Sequence, residues 1–327
     1  MPLIHLIYRK SNTAFHSIEN VFNTLIPYLK VKKVELPYTS AGFLKRYRNI
    51  AFVKKLNSNL IHITGHDHYL VLGLPRKKTI LTIHDIEVLK RNTGLKRYLL
   101  KKLWFDWPIN RAAYVSTISS FSKNELLKLN NYKTPIQVIH NPITLPITYT
   151  PKAFNEDCPT ILHIGTKPNK NLNRLLIALK DVKCKLIIIG KLDNNNIKLL
   201  EENSINYSSK INISNEEMIQ AYINCDMLCF VSTYEGFGLP IIEAQACGRV
   251  VITSNNASMP EIANNGALLV NPLDVNDIKN GINLLINNSK LREELISKGI
   301  ENVKRFQPEI IANQYQQLYD SILVKTF

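Results

Sequence analysis

Short apolar runs rich in Ile, Leu and Val alternate along this 327-residue chain with stretches in which apolar positions recur every three or four residues. The runs at residues 3–8, 60–63, 79–83, 114–119, 136–139, 161–164, 185–189, 229–231 and 250–252 read as strands. Helical spacing predicts helices over residues 17–29, where Ile18, Val21, Phe22, Leu25 and Ile26 share a face, and over 172–179 and 308–323. Another helix carries Ile278, Ile282, Leu285 and Ile286 on one face, with Asp274 and Asp277 capping its start. Ser122 with Glu125, and Ser214 with Glu217, have the spacing of capping boxes and predict helices over residues 123–129 and 218–224. Residues 191–206 are polar and Asn-rich and read as a surface helix and loops. Strands alternating with helices predict an α/β protein of parallel, doubly wound sheets, whose ligands sit beyond the carboxyl ends of the strands. Residues 142–159 are rich in Pro and Thr and weakly periodic, so they separate two domains, 1–145 and 158–305, followed by a final helix over 306–327.

The segment 90–105 fits two descriptions. Leu95, Tyr98, Leu99 and Leu103 can share one face, with Lys96, Arg97, Lys101 and Lys102 largely on another. An interfacial helix has this pattern, and so does a surface helix packed on a sheet with its charges solvated. The apolar face is expected to pack on the sheet. The basic face is assigned to anionic membrane phosphates, together with Lys45, Arg46, Arg48, Lys54 and Lys55.

Composition changes this picture in one respect. An apolar content of 45% with 20% charged residues is that of a folded protein. The net charge of +15, however, is unevenly spread: residues 1–150 hold 23 Lys and Arg against 7 Asp and Glu, and residues 151–327 hold 18 against 19. The first half should therefore be drawn to an anionic partner. No nucleic-acid motif accompanies the basic clusters, so nucleic acid is not the expected partner. The five cysteines (Cys158, Cys184, Cys225, Cys229, Cys247) match no zinc spacing and read as thiols of a reducing compartment. The opening M-P-L-I-H-L-I-Y-R-K is too short in its apolar run for a signal peptide, and no run reaches the length of a membrane span. The expected location is cytoplasmic, with any membrane contact peripheral.

Candidate chemistry concentrates at residues 229–254. A strand enters the loop Glu235-Gly236-Phe237-Gly238, whose glycines tolerate unusual backbone angles and close approach by a ligand. Pro240 fits the first position of a helix, and Gly248 the left-handed residue that ends it. A glycine loop feeding a helix N-terminus offers N–H groups and partial positive charge to an anion. Glu235 precedes the loop, and Glu243 is expected in the first helical turn, either as a partner of the helix dipole or facing a ligand whose phosphates rest on the loop.

The spacing of Glu235 and Glu243, with G-F-G-L-P inside, resembles the E-x7-E signature of the retaining family 4 (group 1) glycosyltransferases. The resemblance extends to Pro272 through S-M-P-E-I (258–262) and A-L-L-V-N-P-L-D (267–274). It implies the GT-B architecture: two Rossmann-like domains with the active site in the cleft, the acceptor held by residues 1–145, the nucleotide sugar by 158–305, and the last helix crossing back to the first domain. It also implies transfer of a hexose-type sugar from a nucleoside-diphosphate sugar to a glycan or lipid-linked acceptor, with retention at the anomeric carbon and no metal. The sequence carries no D-x-D motif of the kind a metal-chelating sugar-nucleotide site needs.

Carried over residue by residue, the resemblance makes Glu235, His84 and Lys170 the catalytic candidates. Gly165, Thr166, Lys170, Glu235, Gly236, Phe237, Gly238, Leu239 and Glu243 become the donor-binding candidates. Lys170 and the backbone N–H groups from Gly236 to Leu239 would stabilise the leaving diphosphate, Glu243 would hold the ribose hydroxyls, and Glu235 the sugar. His84, in I-L-T-I-H-D-I, matches a histidine that approaches the donor sugar. His62 and His66 read as structural, and His68 stays open. Three departures stand out. Residues 9–13 lack the Gly-Gly turn of many relatives. Thr166 stands where an arginine is common, with Lys167 beside it. Pro142 replaces the glycine of an Asn-Gly pair. Loop 210–213, expected near the base, does not reveal which base it is. Two other functions share this architecture and stay open here: a sugar-nucleotide 2-epimerase and a non-catalytic binding subunit.

Overall fold

The computed structural model describes residues 2–10 and 17–324. The departure at residues 11–13 lies outside the described residues. The chain forms two units: Met1–Thr144 with Gln307–Phe327, and Leu145–Phe306.

The first unit is built on a parallel sheet of β1 (Ile4–Tyr8), β2 (Lys32–Glu35), β3 (Leu60–Ile63), β4 (Thr79–Ile83), β5 (Tyr114–Thr117) and β6 (Ile136–Val138), in the order β2-β1-β3-β4-β5-β6. β1, β3 and β4 are buried at every position, because helices cover both faces. The helix Pro308–Val324 belongs to this unit, and its Tyr319 hydroxyl lies 2.8 Å from His62 Nδ1. His62 Nε2 is 2.6 Å from Thr82 Oγ1, which is in turn 2.6 Å from Ser116 Oγ, so a buried polar chain crosses β3, β4 and β5. The structural reading of His62 agrees with these contacts.

The second unit holds β7 (Thr160–Ile164), β8 (Lys185–Ile189), β9 (Asn206–Lys210), β10 (Met227–Phe230), β11 (Val250–Ser254) and β12 (Leu268–Val270), all parallel, in the order β12-β11-β10-β7-β8-β9. This is the dinucleotide-fold order, with its reversal between β7 and β10. In the first unit the reversal falls between β1 and β3, as in flavodoxin-like sheets. Loops that leave the strand ends at these two points are where each unit can hold a ligand.

Several expectations are corrected. β2 and β9 were not legible as strands: K-K-V-E and N-Y-S-S-K are polar and almost wholly exposed, since edge strands pair on one side only. The helix expected from residue 123 spans Ser120–Leu127, because Ser119, not Ser122, is the cap accepting the Ser122 N–H. At residue 214 the capping box is present and the helix spans Asn215–Asn224. The helix Ser289–Val303 had no counterpart in the sequence reading.

The largest correction concerns residues 90–105. They form the end of a short helix Glu87–Lys90, a helix Gly94–Leu100 and a π-helix Lys101–Asp106 that runs into Trp107–Arg111. Gly94, at φ +56°, breaks the first two apart. Pro108 has no N–H for the carbonyl four residues back, Trp104, and its ring would crowd that carbonyl; widening the turn relieves both problems. The freed Trp104 carbonyl lies 2.7 Å from His68 Nδ1. The apolar face is not packed on the sheet: Leu95 is 72% exposed, and Tyr98, Leu99 and Leu103 are exposed too.

Candidate functional site

In the second unit the strand-order reversal brings together the loop after β7 and the loop after β10. Gly165 follows β7 with φ +92°, and a Cβ there would stand 2.8 Å from Lys170 Cγ and 2.9 Å from Lys170 Cε. Only a glycine lets the lysine stem lie across this turn. His163 Nε2, 2.9 Å from the Gly165 carbonyl, pins the turn from below. The Lys170 ammonium reaches Glu235 Oε1 at 2.7 Å and lies 4.7 Å from the centre of the Phe230 ring. Both partners of this ion pair are largely buried, with side-chain exposures of 20% and 15%. Asn169 Nδ2 donates to the Tyr234 carbonyl at 3.0 Å and lies 3.4 Å from the same Glu235 oxygen.

The Glu235 loop is held from the far side by Ser258, whose hydroxyl lies 2.6 Å from the Phe237 carbonyl and 2.9 Å from the Glu235 carbonyl. Phe237 is buried and meets the Phe306 ring edge-on. Gly238, at φ +116°, is the N-cap of the helix Leu239–Ala246. Pro240 therefore stands second in the helix rather than first, still among the positions whose N–H has no helical partner. Glu243 is the fifth helical residue, not a first-turn one. It is buried, and its Oε2 accepts from the Tyr222 hydroxyl at 2.7 Å. Gly248 takes the left-handed angle expected of it, φ +76°.

The structure thus gathers Gly165, Lys170, Glu235, Gly238 and Leu239 at one strand-order reversal, with Phe237 as the buried anchor of the loop carrying Gly236. Thr166 is turned away from them, donating its hydroxyl to the Lys191 carbonyl at 2.7 Å. Among the described residues, Asn169 Oδ1, Ser232 Oγ and Asn256 Oδ1 are buried without a hydrogen-bond partner. Each such atom costs about 1–3 kcal/mol, a cost that natural proteins concentrate at functional sites. Asn171 escaped the sequence reading. At φ +63° it sends Nδ2 to the Val231 and Pro272 carbonyls, at 3.0 and 2.6 Å, and so fixes the residue after Lys170. A left-handed Asn before a helix is the local signal that could have found it. Ser258, which opens the S-M-P-E-I stretch, and Tyr222 act across 21 or more residues, so no local spacing shows which partners they hold.

In the first unit the strand-order reversal lies between β1 and β3. A pocket of about 270 Å³ there is lined by Arg9, Lys10, Thr39, Ser40, His66, Asp67 and Trp104. Arg9 pairs with Glu19, and Asp67 accepts from the Ser40 hydroxyl. Burial raises the Asp67 carboxyl above its ordinary value, against the opposing Ser40 hydrogen bond. His84 follows β4, is buried, and donates from Nε2 to the Thr64 carbonyl at 2.8 Å. Burial first, and then His66, pushes its pKa down to about 4. It is therefore neutral, with Nδ1 left as an acceptor. His68 donates from Nδ1 to Trp104, so its role is structural on that side; its Nε2 is buried without a partner among the described residues.

No helix among the described residues is long and apolar enough to cross a membrane. Residues 150–302 match the family described as Glycosyl transferases group 1, and residues 5–145 match Glycosyltransferase Family 4. An uncharacterized glycosyltransferase of Methanocaldococcus jannaschii is 28% identical over 301 residues, covering 85% of this chain and 83% of the relative. The O-antigen chain mannosyltransferase B of Escherichia coli is 28% identical over 284 residues, covering 78% of this chain and 73% of the relative. Among solved structures, Anabaena HepE in complex with UDP and glucose superposes with a TM-score of 0.78 at 15% identity, covering 98% of this chain and 100% of that one. That likeness shows the GT-B fold.

Proposed function

The chain belongs to the group 1 glycosyltransferases, its two halves matching the two family descriptions in turn, and from that premise we propose that it moves a hexose-type sugar from a nucleoside-diphosphate sugar to a glycan or lipid-linked acceptor with retention of configuration. The observation that carries this reading is the Lys170–Glu235 pair, seated over Gly165 beside the N-terminus of Leu239–Ala246.

The diphosphate of the donor rests against Lys170 and the backbone from Gly236 to Leu239. Because Pro240 has no N–H, Gly238 and Leu239 are the donors nearest the helix start. As the bond to the sugar breaks, negative charge builds on the diphosphate, and a fixed ammonium with fixed N–H groups meets it without reorganising. Glu235, next to that ammonium, favours the positive charge building at the anomeric carbon and accepts from the sugar hydroxyls. Glu243 accepts from the ribose while Tyr222 holds its other side. In the first unit, His84 is neutral, with Nε2 on the Thr64 carbonyl and Nδ1 able to accept a hydroxyl. This arrangement supplies fixed positive charge to the leaving group from the chain itself, so we assign no metal to the reaction.

The mannosyltransferase relative supports a role in bacterial surface polysaccharide assembly. A place at the inner face of the membrane fits the exposed Phe43, Leu44 and Tyr47, which neighbour Lys45 and Arg48 in the first unit. Cosedimentation with anionic vesicles at moderate salt, but not with neutral ones, is the expected behaviour; equal recovery with both would remove the membrane from this account. The activity is tested by incubating the protein with UDP-, GDP- and dTDP-sugars, with and without a glycan acceptor extract, and reading nucleotide release and new glycoside. Acceptor-dependent release from one donor is expected. Epimer formed from donor alone, or no donor turned over, would contradict the proposal.

A further inference from the structure

Among the described residues, four strands close the ends of the two sheets, and each presents an unpaired row of N–H and C=O groups on one side. Proteins protect such edges by keeping them short or by charging them. β6 and β12 are three residues long. β2 carries Lys32, Lys33 and Glu35 in four residues. β9 has neither protection. It is five residues long, N-Y-S-S-K, contains no proline, carries one charge, and is exposed at every position. On the face that carries Asn206 and Ser208, a depression of about 460 Å³, also lined by Lys185, Ile187 and Asn224, leaves the sheet open up to this edge. Tyr207 and, just beyond the strand, Ile211 are exposed apolar groups at the same edge.

The ladder to β8 determines which backbone groups face outward. The Gly190 N–H donates to the Lys210 carbonyl at 2.8 Å, and Ile189 is the register partner of Lys210. In a parallel pair the N–H and C=O of one residue point the same way, and the direction alternates along the strand. Asn206, Ser208 and Lys210 therefore turn both groups to β8, while Tyr207 and Ser209 turn both outward. Such a strand can pair antiparallel with a second copy of itself about a two-fold axis through Ser208. Tyr207 then lies opposite Ser209 of the second copy, Ser209 lies opposite Tyr207 of the second copy, and each pair exchanges two hydrogen bonds. An axis at Tyr207 would instead set Ile205 opposite Ser209, but the Ile205 N–H is already bonded to the Leu200 carbonyl at 3.0 Å. With the axis at Ser208, Lys210 meets Asn206 of the second copy, so no like charges stand opposite each other. The two Tyr207 rings fall on one face at diagonal positions, within reach of each other.

Charge favours a second copy as the partner. Residues 145–306 hold 17 Lys and Arg against 17 Asp and Glu, so the second unit is balanced and the rest of the chain carries the whole net charge of +15. A copy can approach this unit without net repulsion, which it could not do at the first. β9 also lies two strands from β7, at the end of its sheet, so the pairing does not use the strand-order reversal that carries Lys170 and Glu235. We propose that the protein self-associates through β9, two copies pairing about Ser208 so that their six-stranded second-unit sheets run on as one. This goes beyond the transferase reading and does not depend on it. The strand contact is smaller than a standard interface, so the dimer is weak, with a dissociation constant on the order of tens of micromolar.

Sedimentation velocity of the full chain at moderate salt, from about 1 to 300 µM, tests this. The parent is expected to pass from monomer to dimer over that range. Ser208→Lys sets two ammonium groups opposite each other on the axis, and Ser208→Asp two carboxylates; each should weaken association by about tenfold or more. An equimolar mixture of these two variants should recover the dimer, because each lysine then faces an aspartate. Ser209→Pro removes only an outward N–H, which an edge strand tolerates, and should abolish the dimer while leaving the melting temperature near that of the parent. A parent that stays monomeric at the highest concentration, even if its edge binds an added extended peptide, would overturn the proposal. So would a dimer that survives Ser208→Lys and Ser209→Pro, or a mixture of the Ser208→Lys and Ser208→Asp variants that stays monomeric.

Discussion

A methyl group on Gly165 would meet the Lys170 side chain at under 3 Å, in a backbone conformation that L-residues avoid. Gly165→Ala is therefore expected to displace the lysine rather than merely strain the turn, at a cost of about 1–3 kcal/mol in stability. Its activity should fall toward that of Lys170→Ala, which we expect to lose about a hundredfold in turnover, as for one preorganised donor at a developing charge. Steady-state nucleotide release by the purified variants checks both. An unchanged rate for Lys170→Ala would take the lysine out of the reaction. Lys170 and Gly165 were legible in the sequence because strand, glycine and basic loop lie within ten residues. The contacts that fix the neighbouring loops were not: Asn171 holds the Val231 and Pro272 carbonyls and Ser258 those of Glu235 and Phe237, which no side-chain pattern records. Thr166 was legible as a departure, and its hydroxyl proves committed to the Lys191 carbonyl.

At the scale of elements, the buried strands were found because they are apolar at successive positions, and the edge strands β2 and β9 were missed because they are not. The segment through Trp104 shows a subtler limit. Its leucines, spaced four residues apart, predicted a packed helix, but Gly94 separates it from the preceding turn, Pro108 widens its end into a π-turn, and the leucines remained exposed. Asp106 ends the π-turn, almost fully buried, and takes Lys101 Nζ at 2.9 Å, Lys102 Nζ at 3.0 Å and the Tyr132 hydroxyl at 2.8 Å. Burial raises its carboxyl, but these three contacts outweigh burial and hold it below the usual carboxylate range. Asp106→Ala should destabilise the first unit by about 2 kcal/mol at neutral pH, the worth of charge-assisted hydrogen bonds. A carboxyl lowered in the folded state stabilises above its unfolded value, and that contribution is lost as pH falls through the folded one. The gap between parent and variant in denaturant unfolding should therefore close in strong acid. A gap that stayed constant down to pH 2 would show that the ion pairs are not its source.

For the whole molecule, the two units differ in charge and in what burial does to their histidines. Burial lowers His62 and His68 to about 3 and His84 to about 4 in the first unit, and His163 to about 4 in the second. These groups are neutral when folded and protonate near pH 6.5 when unfolded. The unfolded chain thus takes up protons first, and stability falls from pH 6.5 down toward the folded values, by up to about 1.4 kcal/mol per pH unit for each histidine. Calorimetric melting should show the first unit's transition dropping more steeply between pH 6.5 and 5 than the second's. Parallel pH dependence of the two transitions would contradict this. The fold and the glycine loop at residues 235–238 were readable from the sequence because they rest on local alternation and punctuation. The exposed leucine face of the first unit was not, since it depends on which leucines the folded chain leaves uncovered.

The central claim is that a nucleoside diphosphate rests where the chain turns into the Leu239–Ala246 helix, against Lys170. A crystal structure of the protein with whichever of UDP or GDP binds measures this directly. The account predicts phosphate oxygens within hydrogen-bond distance of Lys170 Nζ and the Gly238 and Leu239 N–H groups, with the ribose hydroxyls on Glu243. A diphosphate bound elsewhere, with the Lys170–Glu235 pair untouched and Glu243 still paired with Tyr222, would contradict it.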